Sequence, residues 1–133
     1  VANIWASLPG AGYDQHESKD QPAYAILTEA RPLVMSTFAA VGGERLGRVM
    51  INRIAPGGRI YPHADTPSHA NYWSRFHVVL RSLPGNRFRW GDEVQEFLTG
   101  DIFYFDNRLE HEVQNNSDEP RVHLVIDLKT SLR

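Results

Sequence analysis

The sequence contains no cysteine. Disulfides, zinc–thiolate centres and cysteine nucleophiles are thereby excluded. It also lacks any block of like charge. Fourteen Lys and Arg against 16 Asp and Glu leave a net charge of −2. That balance offers no broad basic surface, so neither nucleic acid nor a membrane is expected as a partner. No apolar run is long enough to span a bilayer, and the first residues have neither the basic nor the apolar region of a secretory signal. A cytoplasmic location is the default expectation, although a chain that begins at Val1 leaves a longer precursor open.

Helix-forming sequence is scarce too. Only residues 22–41 carry it. Pro22 suits a first helical turn, Ala23 to Ala30 are good formers, and Pro32 is expected to break the pattern. A second short helix, Leu33 to Ala40, would end at Gly42-Gly43. Before them, Ile4, Trp5 and Leu8 read as packing residues covering an edge. Gly10 to Gln21, with Tyr13, Asp14, His16 and Glu17, reads as a surface loop.

From Leu46 onward the pattern is β. Eight short strands are expected, over 48–54, 59–63, 75–80, 87–90, 93–96, 102–105, 110–114 and 121–128. Turn signals separate them. Ala55-Pro56-Gly57-Gly58 has Pro and Gly placed as in a type II turn, and Gly91-Asp92 fits a two-residue hairpin. Thr66 to Asn71 reads as a loop. Evenly spaced short strands with no helix between them predict a mainly β, double-sheet jelly roll with one or two short helices packed outside. At 133 residues this is one domain, 1–133, with 1–45 as a covering segment and 46–128 as the jelly-roll core.

Pro62-His63-Ala64-Asp65 is the stretch with chemical content. His63 and Asp65 stand at i and i+2, so in extended chain both side chains point to one face. His111, forty-six residues after Asp65, completes a three-ligand set. Two imidazoles and one carboxylate on one side of a metal leave the other side open, as Fe(II) oxygen chemistry requires. His69 and His16 are expected to be exposed, and Trp73 and Trp90 to serve packing.

Several short pieces follow one another in a particular order and spacing. They are Ala55-Pro56-Gly57-Gly58, Tyr61-Pro62-His63-Ala64-Asp65, Arg75-Phe76-His77, Gly100-Asp101-Ile102-Phe103, Phe105-Asp106-Asn107, His111 to Asn115 and Arg121 to Asp127. In this the chain resembles the aspartyl/asparaginyl β-hydroxylase family of Fe(II)/2-oxoglutarate oxygenases, which includes proline hydroxylases. The resemblance runs from Arg48 to Leu128, about 60% of the chain.

It implies a double-stranded β-helix, another name for the jelly roll, with Fe(II) held by His63, Asp65 and His111, and 2-oxoglutarate and O2 as co-substrates. Arginine suits the distal carboxylate of 2-oxoglutarate because its planar fork accepts a carboxylate through two N–H groups. Arg121, ten residues after His111 and across one hairpin, stands where the family places that arginine. The family's Arg-x-His implies His77 at 2-oxoglutarate and Arg75 at a co-substrate or substrate carboxylate. Asn52 alternates with Ile51 and is expected to donate into the barrel. His123 shares the face of Arg121 and lines the pocket or packs behind it.

The implied activity is hydroxylation of an amino-acid or peptidyl side chain with release of succinate and CO2. Some aspartyl hydroxylases of the family lack the carboxylate ligand, so Asp65 makes the chain more similar to the branch that acts on free amino acids. Arg75 and the 66–71 loop are the expected substrate contacts. Two other readings fit the same fold: a cupin-like metal protein without 2-oxoglutarate chemistry, and a non-catalytic jelly-roll binding module.

Overall fold

The structure is a computed structural model that describes residues 2–3 and 18–131. The expectations for Ile4, Trp5, Leu8, Tyr13, Asp14, His16 and Glu17 lie outside the described residues. Two-residue strands β1 (Ala2–Asn3) and β2 (Ser18–Lys19) pair with each other. Helices α1 (Pro22–Ile26) and α2 (Ala30–Ala40) come next in the chain. Then come β3 (Gly43–Ile54), β4 (Arg59–His63), α3 (Pro67–Ala70), β5 (Ser74–Arg81), β6 (Asn86–Trp90), β7 (Glu93–Gln95), β8 (Ile102–Tyr104), β9 (His111–Asn115) and β10 (Arg121–Thr130).

The last eight strands are the expected eight, with β3, β5, β6 and β10 longer than expected, β7 and β8 one residue shorter and β9 shifted by one residue. They form two four-stranded antiparallel sheets, ordered β3-β10-β5-β8 and β4-β9-β6-β7. This is the jelly-roll arrangement. Two details differ from expectation. Pro32 does not break the helix, because it falls in the first turn of α2, where the missing N–H has no intrahelical partner to lose. The 66–71 segment contains one helical turn, α3, with Pro67 at its start. The expected type II turn forms: Gly57 has φ 76°, and the Gly58 N–H bonds the Ala55 carbonyl at 2.9 Å.

β10 is central in its sheet and buried on both faces. Leu124, Ile126 and Leu128 pack with Val34 of α2 and with Phe76 and Val78 of β5 in an aliphatic core. Each such side chain contributes about 2 kcal/mol by leaving water. A second cluster joins the two sheets, built on Ile54, Phe88, Phe105 and Val113.

Two bulges decide which side chains reach the interior. In the β4–β9 pair the register moves by one residue between Ile60 and His63. Pro62 lies in that interval and has no N–H to give a ladder. The extra residue lets Ile60 and His63, an odd number apart, both line the same interior cavity. In the β3–β10 pair, Leu46 faces Leu128 and Val49 faces Ile126, so Gly47 and Arg48 together stand opposite Asp127. A Cβ on Gly47 would come within 2.9 Å of the Trp73 ring, which is fully buried there as a packing residue.

Candidate metal centre

His63 and His111 are direct cross-strand partners, with ring centroids 4.4 Å apart. Asp65 stands two residues after His63, and its Oδ1 lies 3.4 Å from His63 Nε2 and 3.6 Å from His111 Nε2. One ligand atom from each of the three falls within 4.8 Å of the others. Metal bonds of about 2.1 Å at right angles place donor atoms about 3 Å apart, so the set needs only small closure.

The proton positions favour a metal as well. His63 Nδ1 is 2.8 Å from the Tyr61 carbonyl, and His111 Nδ1 is 2.8 Å from the Leu109 carbonyl. A carbonyl only accepts, so both Nδ1 atoms carry the hydrogen and donate. Both Nε2 atoms then present lone pairs towards Asp65 Oδ1. Burial lowers the pKa of His111, against the opposing pull of the Leu109 carbonyl and Asp65, and so favours the neutral imidazole that a metal needs. Three lone-pair donors converging on one point form a set that a divalent cation fits.

Asp65 is held from behind. Its Oδ2 accepts from Arg75 Nη1 at 2.9 Å and from Asn107 Nδ2 at 2.8 Å, which leaves Oδ1 facing the histidines. Asn107 also fixes the backbone, its carbonyl accepting the Asp65 N–H at 3.1 Å. Arg75 in turn is clamped by Asp127, which faces it across β5–β10: Nε donates to Oδ1 at 2.7 Å and Nη2 to Oδ2 at 2.9 Å. His69 Nε2 sits 2.7 Å from the same Asp127 Oδ2. Burial alone would raise the Asp127 carboxyl, but the hydrogen bonds and charge of Arg75 and His69 outweigh it and hold the pKa below the ordinary value.

His69 is therefore not exposed, contrary to expectation. Only 11% of its side chain is accessible, because α3 turns the ring inward onto Asp127. Sequence reasoning does not single out Asn107 or Asp127. Both lie inside the ordered motif pieces, but no spacing rule marks an asparagine at a strand break or an aspartate late in a strand as a support for a ligand.

All seven expected site residues line one cavity of about 140 Å³: Asn52, His63, Asp65, Arg75, His77, His111 and Arg121. Arg121 is 4% exposed and makes no ion pair with a described carboxylate. Burial pulls its pKa down to about 10. Its Nη2 lies 2.9 Å from His123 Nδ1. Arginine only donates, so that Nδ1 accepts, and His77 Nδ1, 3.0 Å away, is the second donor to it. In this arrangement His77 Nε2 is a bare acceptor, so contact with a carboxylate there requires the tautomer to change. Burial first, then the charge of Arg121, pushes the pKa of His123 down to about 3. Asn52 stands opposite His123 on β3.

Comparisons with known proteins bear on the family and the fold. A family model described as aspartyl/asparaginyl beta-hydroxylase matches residues 11–131. An L-proline cis-4-hydroxylase of Rhizobium meliloti is 30% identical over 81 residues, 61% of this chain and 29% of that protein. The mouse aspartyl/asparaginyl beta-hydroxylase is 26% identical over 97 residues, 71% of this chain and 13% of that protein. The matches thus span under a third of these relatives. Among solved structures, a predicted oxalate decarboxylase from Thermotoga maritima superposes with a TM-score of 0.51 at 13% identity, over 64% of this chain and 68% of that one. A cupin protein from Bacteroides fragilis gives 0.50 at 19%, over 62% and 65%. These two bear on the fold alone. The extent of the family match establishes that the chain belongs to the aspartyl/asparaginyl β-hydroxylase family.

Proposed function

We propose that this protein is an Fe(II)- and 2-oxoglutarate-dependent dioxygenase that hydroxylates an amino-acid or peptidyl side chain. The observation that carries the reading is Arg121. Among the described residues it has no carboxylate partner, which is costly for a buried guanidinium, and it lines the same cavity as His63, Asp65 and His111. A diacid co-substrate would supply the missing anion.

When bound, the metal and 2-oxoglutarate supply the activation of O2: one oxygen atom enters the substrate C–H bond, and the other leaves in succinate as CO2 is lost. The chain's residues do the rest. His63 Nε2, Asp65 Oδ1 and His111 Nε2 hold the metal on one side. Asn107 and Arg75 keep Asp65 turned towards it. Arg121 takes the distal carboxylate, and Asn52 and His77 line the space between. Phe88, Phe105, Val113 and Val125 supply the apolar part of its lining.

The test is an anaerobic titration of the protein with Fe(II) and 2-oxoglutarate, tracking the weak visible band of a metal-chelated 2-oxo acid. The band is expected in the wild type, lost in His111→Ala and weakened in Arg121→Ala. Metal binding without a band would favour a cupin-like metal protein instead.

A further inference from the structure

A second cavity, of about 200 Å³, opens beside the first and shares Asp65 and Arg75 with it. Its other walls are Arg48, Thr66, Ser68 and His69. One wall residue, Arg48, sits at the bulge of β3. Gly47 and Arg48 oppose the single residue Asp127. A regular ladder with Leu46 packed on the helix side would also turn Arg48 to that side. The extra residue lets Leu46 and Val49 both pack there while Arg48 lines the cavity at the metal end of the sheet.

The charges in this cavity do not balance locally. Asp65 is engaged by Arg75 and Asn107, and His69 by Asp127. Arg48 has no carboxylate or hydrogen-bond partner among the described residues, and neither the Thr66 nor the Ser68 hydroxyl makes a side-chain hydrogen bond there. A half-buried arginine with two free hydroxyls beside it is a carboxylate-binding set. Arg121 and Arg48 also lie at opposite ends of the inner face. Their backbones are separated by six residues of β10, about 20 Å. That distance is long enough for the two guanidiniums to serve two separate anions.

We infer that Arg48, with Thr66 and Ser68, binds the carboxylate of the substrate, and that the substrate is a small free carboxylic acid, such as an amino acid, rather than a side chain within a peptide. This rests on the oxygenase reading of the metal centre. A carboxylate anchored at Arg48 sets the rest of a small molecule beside Asp65 and Arg75, the two residues this cavity shares with the one lined by His63 and His111. A residue inside a polypeptide has no free main-chain carboxylate to offer this anchor.

The experiment uses the full chain loaded under argon with Fe(II) and 2-oxoglutarate. Free L-amino acids, L-proline and L-aspartate among them, are compared with their carboxamides by titration calorimetry. Succinate release in air is then measured for each compound. At least one free acid is expected to bind and to stimulate succinate release, and its amide to fail. In Arg48→Gln the affinity for that acid and its 1/KM should drop about 30-fold, with partial recovery in Arg48→Lys. The visible band without substrate should stay within twofold of wild type in both variants, which also reports that they are folded. Equal response to acid and amide, no binding by any free acid, or an unchanged affinity in Arg48→Gln overturns the proposal. Absence of the visible band in the wild type would instead overturn the oxygenase reading itself.

Discussion

Leu124, Ile126 and Leu128 on one face of β10, and Arg121, His123 and Asp127 on the other, are all at most 4% exposed. Burial is equal, but the chemistry is opposite. The first three sit in an aliphatic cluster, where any well-shaped apolar neighbour is satisfactory. The second three are held by directional bonds to Arg75, His69, His77 and one another. The apolar face stabilises without specifying an orientation. The polar face carries a desolvation cost and fixes orientations, which a metal and an anion require. One strand thus supplies the domain's stability and its candidate site from alternate residues.

Substitutions on the two faces should separate these roles. Leu124→Ala is expected to cost about 4 kcal/mol in urea unfolding, because it opens a void in a fully buried cluster, while Fe(II) affinity measured in native buffer stays near wild type. A large fall in metal affinity in that variant would break the comparison. Asp127→Asn should cost about 3 kcal/mol by leaving Arg75 short of its main partner, and should also weaken metal binding at least tenfold, since Arg75 then no longer steadies Asp65.

Acidity provides a third test. An unfolded histidine titrates near 6.5, whereas folded His123 does so at about 3. Below pH 6.5 the unfolded chain therefore takes up a proton that the folded one refuses. Stability is complete above that pH and should fall by about 1.4 kcal/mol per pH unit for this residue down to about pH 3. His77, also lowered by burial, adds to the slope. Urea midpoints at pH 7 and 5 check this, and His123→Phe should flatten the slope. Asn107→Ala should have the smallest effect, about tenfold in metal affinity with under 1.5 kcal/mol of stability lost, read by the same metal titration.

The eight core strands are legible in the sequence because their alternation and turn residues agree with one another, and so are seven of the twelve residues that line the cavity. What is not legible depends on events that alternation does not encode. The bulge around Pro62 puts His63 on the same side as Ile60, and the bulge at Gly47 and Arg48 puts Leu46 on the same side as Val49. Arg48 reads as an ordinary strand residue until the register is known. Asn107 reads as a strand break, and His69 as a loop residue, because hydrogen bonds to Asp65 and Asp127 come from parts of the chain distant in sequence. Pro32 misleads for a related reason. Its effect depends on whether it lies in the first turn of a helix or its middle, and the start of α2 lacks a side-chain cap to announce it.

One detail of the metal centre bears on how far its neighbourhood can vary. The imidazoles of His63 and His111 are both oriented by a backbone carbonyl two residues earlier, at Tyr61 and Leu109. Every amino acid has that carbonyl, proline included. The side chains at these two positions, 69% and 48% exposed, are thus free of any duty to the ligands. Positions 61 and 109 are where a library can be diversified to reshape the rim of the site while both coordinating nitrogens keep their aim.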